Sequence, residues 1–357
     1  MLRHLVLCAG ALVLFYVLTV NLSSYHNYQV GLIALFAMVI AGLSVLTGIN
    51  GQISLGHGAF MAVGAYTFAL VQEHVTLPLA LELLAAVAAS AVLGLVVGIP
   101  ATRLRGPYLA GMTLILALGL PQLADKYNSV FGGDEGLHPS QLVAPGAVDP
   151  NRWFAWITVL VAVIVVALLA NLVRSHFGRA MRAVRDNEVA AMLAGIHVGR
   201  TKVLAFVVSA GCAGLAGAFL ALSGGVVTTG DFPLSLSIYL VAAMVLGGAG
   251  SLVGPWWGAI AIVYLPQWST SISSDFGLGS AVAANLALVI FGLVLIIVMM
   301  LAPTGVQGGV RWLARRLLAA RFPRPPAAAG VTAVAGFPEP PAPATPDMRT
   351  EQERTHP

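Results

Sequence analysis

Long apolar runs follow one another through most of this chain with almost no charge inside them, and that spacing constrains the fold more than any other feature. A bilayer core of about 30 Å is crossed by about 20 helical residues. Runs of that kind extend approximately over Leu5–Asn21, Val30–Thr47, Ile53–Val71, Leu77–Ala101, Tyr108–Leu123, Trp153–Leu172, Val203–Leu222, Leu234–Leu252, Pro255–Trp268 and Ala281–Leu301. The ninth is short and the third is polar and glycine-rich, so one or two broken or re-entrant spans are expected among about ten. With 58% hydrophobic and 9% charged residues, too few polar side chains remain to cover a soluble globule of 357 residues. A transmembrane barrel needs segments of about ten residues with polar alternation, and these runs are long and unbroken. The expected fold class is an all-α integral membrane protein.

Lysine and arginine orient the spans, because short cytoplasmic loops collect them. With both termini inside, 16 of the 18 basic residues fall on the inner side, leaving only Lys126 and Arg152 outside. An odd number of spans scrambles this partition, so an even count is expected. The net charge of +4 is therefore a topology signal and does not argue for a nucleic-acid partner. The first run is longer than a signal-peptide core and lacks a small-x-small cleavage site, so it reads as a helix. Beyond Phe322, nine of the 20 prolines crowd into the last 36 residues. The expected division is a transmembrane domain over 1–321 and a disordered Pro/Ala-rich cytoplasmic tail over 322–357.

Several chemistries are missing. The two lysines, Lys126 and Lys202, follow Asp and Thr, so no Gly-Lys phosphate loop exists. No G-x-S-x-G elbow, H-E-x-x-H helix or facing carboxylate cluster is present. The eight histidines show no metal-ligand spacing, and Cys8 and Cys212 sit inside apolar runs as small core residues. Enzyme activity, a bound cofactor and a metal are not expected of this chain.

Two segments invite function. The inner loop SHFGRAMRAVRDNEVAAMLAGIHVGRTK, Ser175–Lys202, is the longest inner connection. Its Arg182 and Arg185 keep it out of the hydrocarbon. Asp186 or Asn187 can cap a helix with Glu188 in the first turn, and Val189–Ala194 gives about two turns before Gly195 stops it. Such a helix, with Ala190 and Ala191 at its centre, is too short to stand alone in water. It lies on lipid headgroups or plugs into a cytoplasmic partner, and periodicity does not choose. The other segment is GINGQISLGHGAFMAVGAY, Gly48–Tyr66, where five glycines surround Gln52, Ser54 and His57. Broken helices at membrane depth line a cavity or pack inside protein. The segment is expected to line a solute path, to which Thr113 is also assigned, while His57 alone reads as a hydrogen-bonded core histidine. The glycines of Met244–Ile260 mark a tight reversal, and its SLVGPWWGAIAIVY faintly echoes SLGHGAFMAVGAY. The outer FGGDEGL, Phe131–Leu137, caps the opposite mouth or is a solvated loop.

Seven ordered motifs over roughly residues 30–310 resemble the permease subunit of branched-chain amino-acid ABC importers, and the larger-looped permease of the pair. They are GQISLGHGAFMAVGAY, LRGPYLAGMTL (which holds Thr113), FGGDEGL, GRAMRAVRDNEVAAMLAGI, LAFVVSAGCAGLAGA, VLGGAGSLVGPWWGA and LAPTGVQGG. The resemblance implies a bacterial inner-membrane subunit that moves branched-chain or related amino acids. Its partners would be two ATP-binding subunits, a second permease or a copy of itself, and a periplasmic solute-binding protein, with ATP and Mg²⁺ held by the ATPases. It also implies that Glu188–Gly195 is a coupling helix docking on the ATPase, with Arg182, Arg185, Asn187, Glu188, Ala190, Ala191 and Gly195 at that junction. In many ABC permeases the segment reads Glu-Ala-Ala-x-x-x-Gly; here Val189 stands where that Glu falls and Glu188 is one residue earlier. Relatives carrying urea, short amides or aromatic acids look alike. An ion-coupled secondary transporter needs an embedded carboxylate or basic relay, and Glu82 and Asp125 both fall near the outer boundary.

Overall fold

The computed structural model describes residues 19–275 except 21, 76, 105, 134, 141–143 and 147, most of 289–300, and 305–312. The chain parts into two units, Met1–Leu313 and Ala314–Pro357, and every described residue lies in the first. Most of the run Leu5–Asn21, much of the run Ala281–Leu301 and all of the tail 322–357 lie outside the described residues.

Helices are α1 (Ser24–Leu43), α2 (His57–His74), α3 (Leu79–Ala101), α4 (Pro107–Lys126), the single turn α5 (Asn128–Phe131) and α6 (Pro150–Arg174). They continue with α7 (His176–Asp186), α8 (Glu188–Leu193), α9 (Val198–Gly224), α10 (Leu234–Gly247) and α11 (Gly254–Asp275). No β-strand occurs among the described residues; one isolated bridge joins Leu137 and Val227. Among the described residues, six stretches are long and apolar enough to cross a bilayer: Ser24–Ile49, Leu79–Ala101, Pro107–Lys126, Pro150–Arg174, Val198–Gly224 and Thr229–Gly247. The protein is an all-helical, multi-pass membrane protein.

Helix starts follow local chemistry. Ser23 caps α1, Asp149 caps α6 through the Asn151 amide at 2.7 Å, and prolines open α4 and α6. Proline suits that first position because its missing N–H is an orphan there anyway.

The bundle is built around α1 and α9, which are buried on nearly all sides. α9 packs most extensively on α3 and α2, and α1 on α6, α9 and α11. Close approach needs small side chains, and α9 supplies Ser209, Ala210, Gly211, Cys212, Ala213 and Gly214 in succession. A Cβ on Gly64 of α2 would overlap the backbone of Gly214. Outer helices turn apolar residues away from the core: Leu84, Val92, Val96 and Ile99 on α3, and Leu160, Ile164 and Leu168 on α6. Exposed leucine and valine in helical register are expected where lipid is the solvent.

Hydrogen bonds and close contacts fix which helix ends share a side. Asn151 Nδ2 donates to Ser24 Oγ at 2.9 Å, joining the starts of α1 and α6. The Leu137–Val227 bridge joins the loops after α5 and α9 to that same end. At the opposite end lie the breaks after α1 and α10, together with α7 and α8.

The seventh run differs from its sequence-based bounds. The helix begins at Val198 rather than Val203, so Arg200 and Lys202, expected in the loop, are the first turns of α9. Lys202 is only 3% exposed. Its ammonium pairs with Glu188 Oε1 at 2.6 Å, and that pairing lets the helix run through a buried lysine. The ninth run, read as short, is a 22-residue helix, α11.

Candidate functional site

The break after α1 is a local change of helix type. Leu43 passes into a π-turn over Ser44–Ile49, and Gly51, with φ of +80°, ends it. Residues 51–54 are non-helical until α2 starts at His57. π-turns inside α-helices gather at functional sites. The freed backbone groups find side chains: Thr47 Oγ1 donates to Gln52 O at 2.9 Å, Leu55 N to Thr113 Oγ1 at 2.9 Å, and Gly58 N to Ser237 Oγ at 3.0 Å.

Gln52, Ser54, His57 and Thr113 are all buried and are brought together around this break. His57 Nδ1 lies 3.2 Å from Ser54 Oγ and Nε2 lies 2.7 Å from Ser209 Oγ. Both ring nitrogens are satisfied, and a hydroxyl rotates to suit whichever nitrogen carries the proton. Asn50 Nδ2 donates to Gln52 Oε1 at 2.6 Å, while Asn50 Oδ1 and Gln52 Nε2 lack partners. Sequence reading missed Asn50, Ser209 and Ser237. A polar residue two positions before Gln52 was signal enough for the first; the two serines are joined to His57 and Gly58 only by tertiary packing.

Around the same turn three glycine motifs converge. A Cβ on Gly48 would overlap the backbone of Gly250, in the turn between α10 and α11. A Cβ on Gly305, which has φ of +76°, would overlap Gly248. α2 and α11 therefore begin beside one another's preceding turns, and the two segments that echo each other in sequence run in the same direction.

The loop expected over 175–202 holds two helices. α7, missed as a helix in the sequence, is capped by Ser175, whose Oγ accepts from Phe177 N at 3.2 Å. Ala180, Met181 and Val184 form its buried face, with Arg179 and Arg182 turned out. Arg182 Nη1 donates to Val173 O at 3.2 Å, and Arg185 Nη1 donates to Gly48 O. Asn187, not Asp186, caps α8, its Oδ1 accepting from Val189 N at 2.9 Å and Ala190 N at 3.0 Å. Gly195 ends α8 with φ of +81°. Ala191 is 3% exposed and faces the chain, whereas Ala190, Val189, Met192 and Leu193 face outward, Leu193 being 86% exposed. Glu188 is tied back to Lys202, so its ionic partner is internal.

At the far end, a cleft of about 480 Å³ lies between the end of α2 and the FGGDEGL turn, with Glu73, His74, Glu135 and His138 among its lining residues. Tyr66 of α2 stacks edge-on against Phe131 beneath it, centroids 5.1 Å apart. Among the described residues, no group of three or more His, Cys, Asp or Glu side chains could hold a metal.

These features define a polytopic helical membrane protein with a polar, broken segment in its bundle and an apolar peg on the adjoining loop. The chain belongs to the family described as branched-chain amino acid transport system / permease component, which matches residues 27–299. It is 33% identical over 237 residues to the high-affinity branched-chain amino acid transport system permease protein LivM of Salmonella typhimurium and to that of Escherichia coli. That alignment covers 59% of this chain and 55% of those proteins, so the chain spans about half the length of these relatives. It is also 26% identical to the permease protein BraD of Pseudomonas aeruginosa over 294 residues, 76% of this chain and 91% of BraD. No solved structure matches.

Proposed function

We propose that this chain is the translocation subunit of an ABC importer for branched-chain amino acids, itself non-catalytic and driven by ATP hydrolysed on separate subunits. One observation carries the reading: a six-residue helix, capped at both ends, that turns Val189, Met192 and Leu193 into water. Solvent-exposed apolar side chains in a loop bounded by arginines call for a partner, and a groove on an ATP-binding subunit fits a short apolar peg. The family membership and the relatives' names support the solute class and the powering partners.

The importer as we read it joins this chain to two ATP-binding subunits, a second permease of the same family or a second copy, and a periplasmic binding protein. ATP-driven closure of the ATPases moves α8, and the bundle shifts between outward-open and inward-open populations. Gln52, Ser54, His57 and Thr113 lie along the proposed solute path, with specificity set before delivery. Six apolar helices, α2, α11 and the runs Leu5–Asn21 and Ala281–Leu301 make ten spans in this reading. Seven described basic residues before Leu252 gather with α7 and α8 at one end, against Lys126 and Arg152 at the other. That asymmetry supports placing α7, α8 and both termini in the cytoplasm of a bacterial inner membrane, with 322–357 as a tail.

Co-expression with the neighbouring ATP-binding subunits tests this. The wild-type chain should co-purify with them and show no ATPase activity alone. Leu193→Asp removes an apolar contact and buries a charge, weakening the docking by about 2–4 kcal/mol, while leaving the bundle folded. Uptake of leucine into vesicles holding this chain without any ATPase subunit would end the proposal.

A further inference from the structure

The break after α1 and the loop holding α7 and α8 are joined by a specific contact, and its geometry is unusual. Gly48 sits in the last turn of a helix, where carbonyls lack intrahelical donors. The guanidinium of Arg185 donates to that carbonyl from the last turn of α7. A cation at a helix C-terminus is also favoured by the dipole. On its other side Gly48 meets the backbone of Gly250 with no side chain between them. Beyond it, Gly51 takes a left-handed φ of +80°, and a Cβ there would stand 3.0 Å from Arg185 Cγ. The aliphatic stem of Arg185 therefore lies along the turn while its head grips the carbonyl.

What the turn carries is equally specific. Asn50 and Gln52 are 2% and 4% exposed. They bond to each other and leave an acceptor, Asn50 Oδ1, and a donor, Gln52 Nε2, without partners. Turning both amides over does not remove the problem, because one acceptor and one donor are still left. Buried amides with unused hydrogen-bonding capacity are met by water or by a ligand. The turn that presents them is a π-turn followed by a glycine of left-handed φ.

We infer that Arg185 is a positioning residue: it carries displacement of the α7–α8 loop into the Gly48–Gln52 turn and so sets when the Asn50 and Gln52 amides face the solute path. The contact is an internal one, distinct from the outward face of α8. This inference rests on the importer reading above.

The test uses the assembled importer in lipid vesicles with Arg185→Met and Arg185→Lys. Leucine taken up per ATP hydrolysed is measured, together with hydrogen exchange at residues 48–52 with and without nucleotide. Arg185→Met should keep its ATPase subunits and its hydrolysis, while uptake per ATP falls by about tenfold, within the ordinary range of coupling between sites. The nucleotide-dependent change in exchange at 48–52 should vanish while that in α8 persists. Lysine, which keeps the positive charge, an N–H donor for the carbonyl and an aliphatic stem, should restore much of both. Unchanged uptake per ATP in Arg185→Met overturns the inference. Loss of the ATPase subunits overturns it too, because the guanidinium then belongs to the interface. A lowered Tm with raised basal exchange along α1, not restored by lysine, reduces Arg185 to a structural tie. If even the wild-type chain assembles with no ATPase subunit, the importer reading falls first.

Discussion

His57 illustrates what a single buried polar residue requires. Its two nitrogens are held by Ser54 on its own segment and Ser209 on α9. Removing one partner strands a buried nitrogen, so Ser209→Ala should destabilise by about 1–3 kcal/mol. Adding His57→Leu to that variant removes the stranded nitrogen and should recover part of the loss, since replacing both partners is nearly neutral. Thermal unfolding in detergent, comparing single and double variants, checks the sign. If Ser209→Ala is silent, the hydrogen bond does not form in the membrane-extracted protein. The bonded-histidine reading was legible from composition, since a lone imidazole among glycines and apolar residues has to be satisfied. Its partner was not, because nothing in a sequence tells Ser209 that it will face position 57 rather than lipid.

Helix ends show the complementary case. α8 is legible almost to the residue: an Asx cap, an acid in the first turn, small residues, then glycine. The cap predicts its own test. Asn187→Ala removes an acceptor from two amides and should cost about 1 kcal/mol, seen as faster exchange over Glu188–Leu193 with the bundle unchanged. The start of α6 behaves differently because its cap titrates. A hydrogen bond from the Ser24 hydroxyl, and then the Asn151 and Arg152 amides, hold the Asp149 carboxyl below its usual range. A lowered value means the cap contributes fully above the ordinary Asp pKa of about 4 and is lost as pH falls through the lowered one. Asp149→Asn should make the first turn of α6 indifferent to that acid window, read by amide exchange near Trp153. α7 escaped notice despite its signals, Ser175 and an apolar face at Ala180, Met181 and Val184, because its four positively charged or imidazole side chains dominate an eleven-residue window. The extension of α9 through Arg200 and Lys202 escaped for a tertiary reason, since only the Glu188 carboxylate makes a buried lysine acceptable.

At the scale of the molecule, hydropathy located the six long apolar stretches found among the described residues and left their arrangement open. Which helices would be central was written in residue size: α9 is rich in Gly, Ala, Ser and Cys and lies at the middle, while α3 and α6 keep Leu, Val and Ile for lipid. Gly64 sits where α2 and α9 touch backbone to backbone. Gly64→Val should push these helices apart, and large overpacking of this kind costs about 1–3 kcal/mol or more. A drop in Tm with loss of monodisperse protein in detergent is the expected readout, with Gly111→Val on α4, which has open space, as the silent control.

One further consequence follows from how α8 is anchored. Its cap, its glycine stop and the carboxylate–ammonium clasp to α9 fix its shape before anything touches it. A recognition element that arrives already moulded forfeits little freedom when it is seized, so its engagement can be brief and repeated without being feeble. In the importer proposed above, a handle of that sort suits machinery that must grip it and let go once in every turnover.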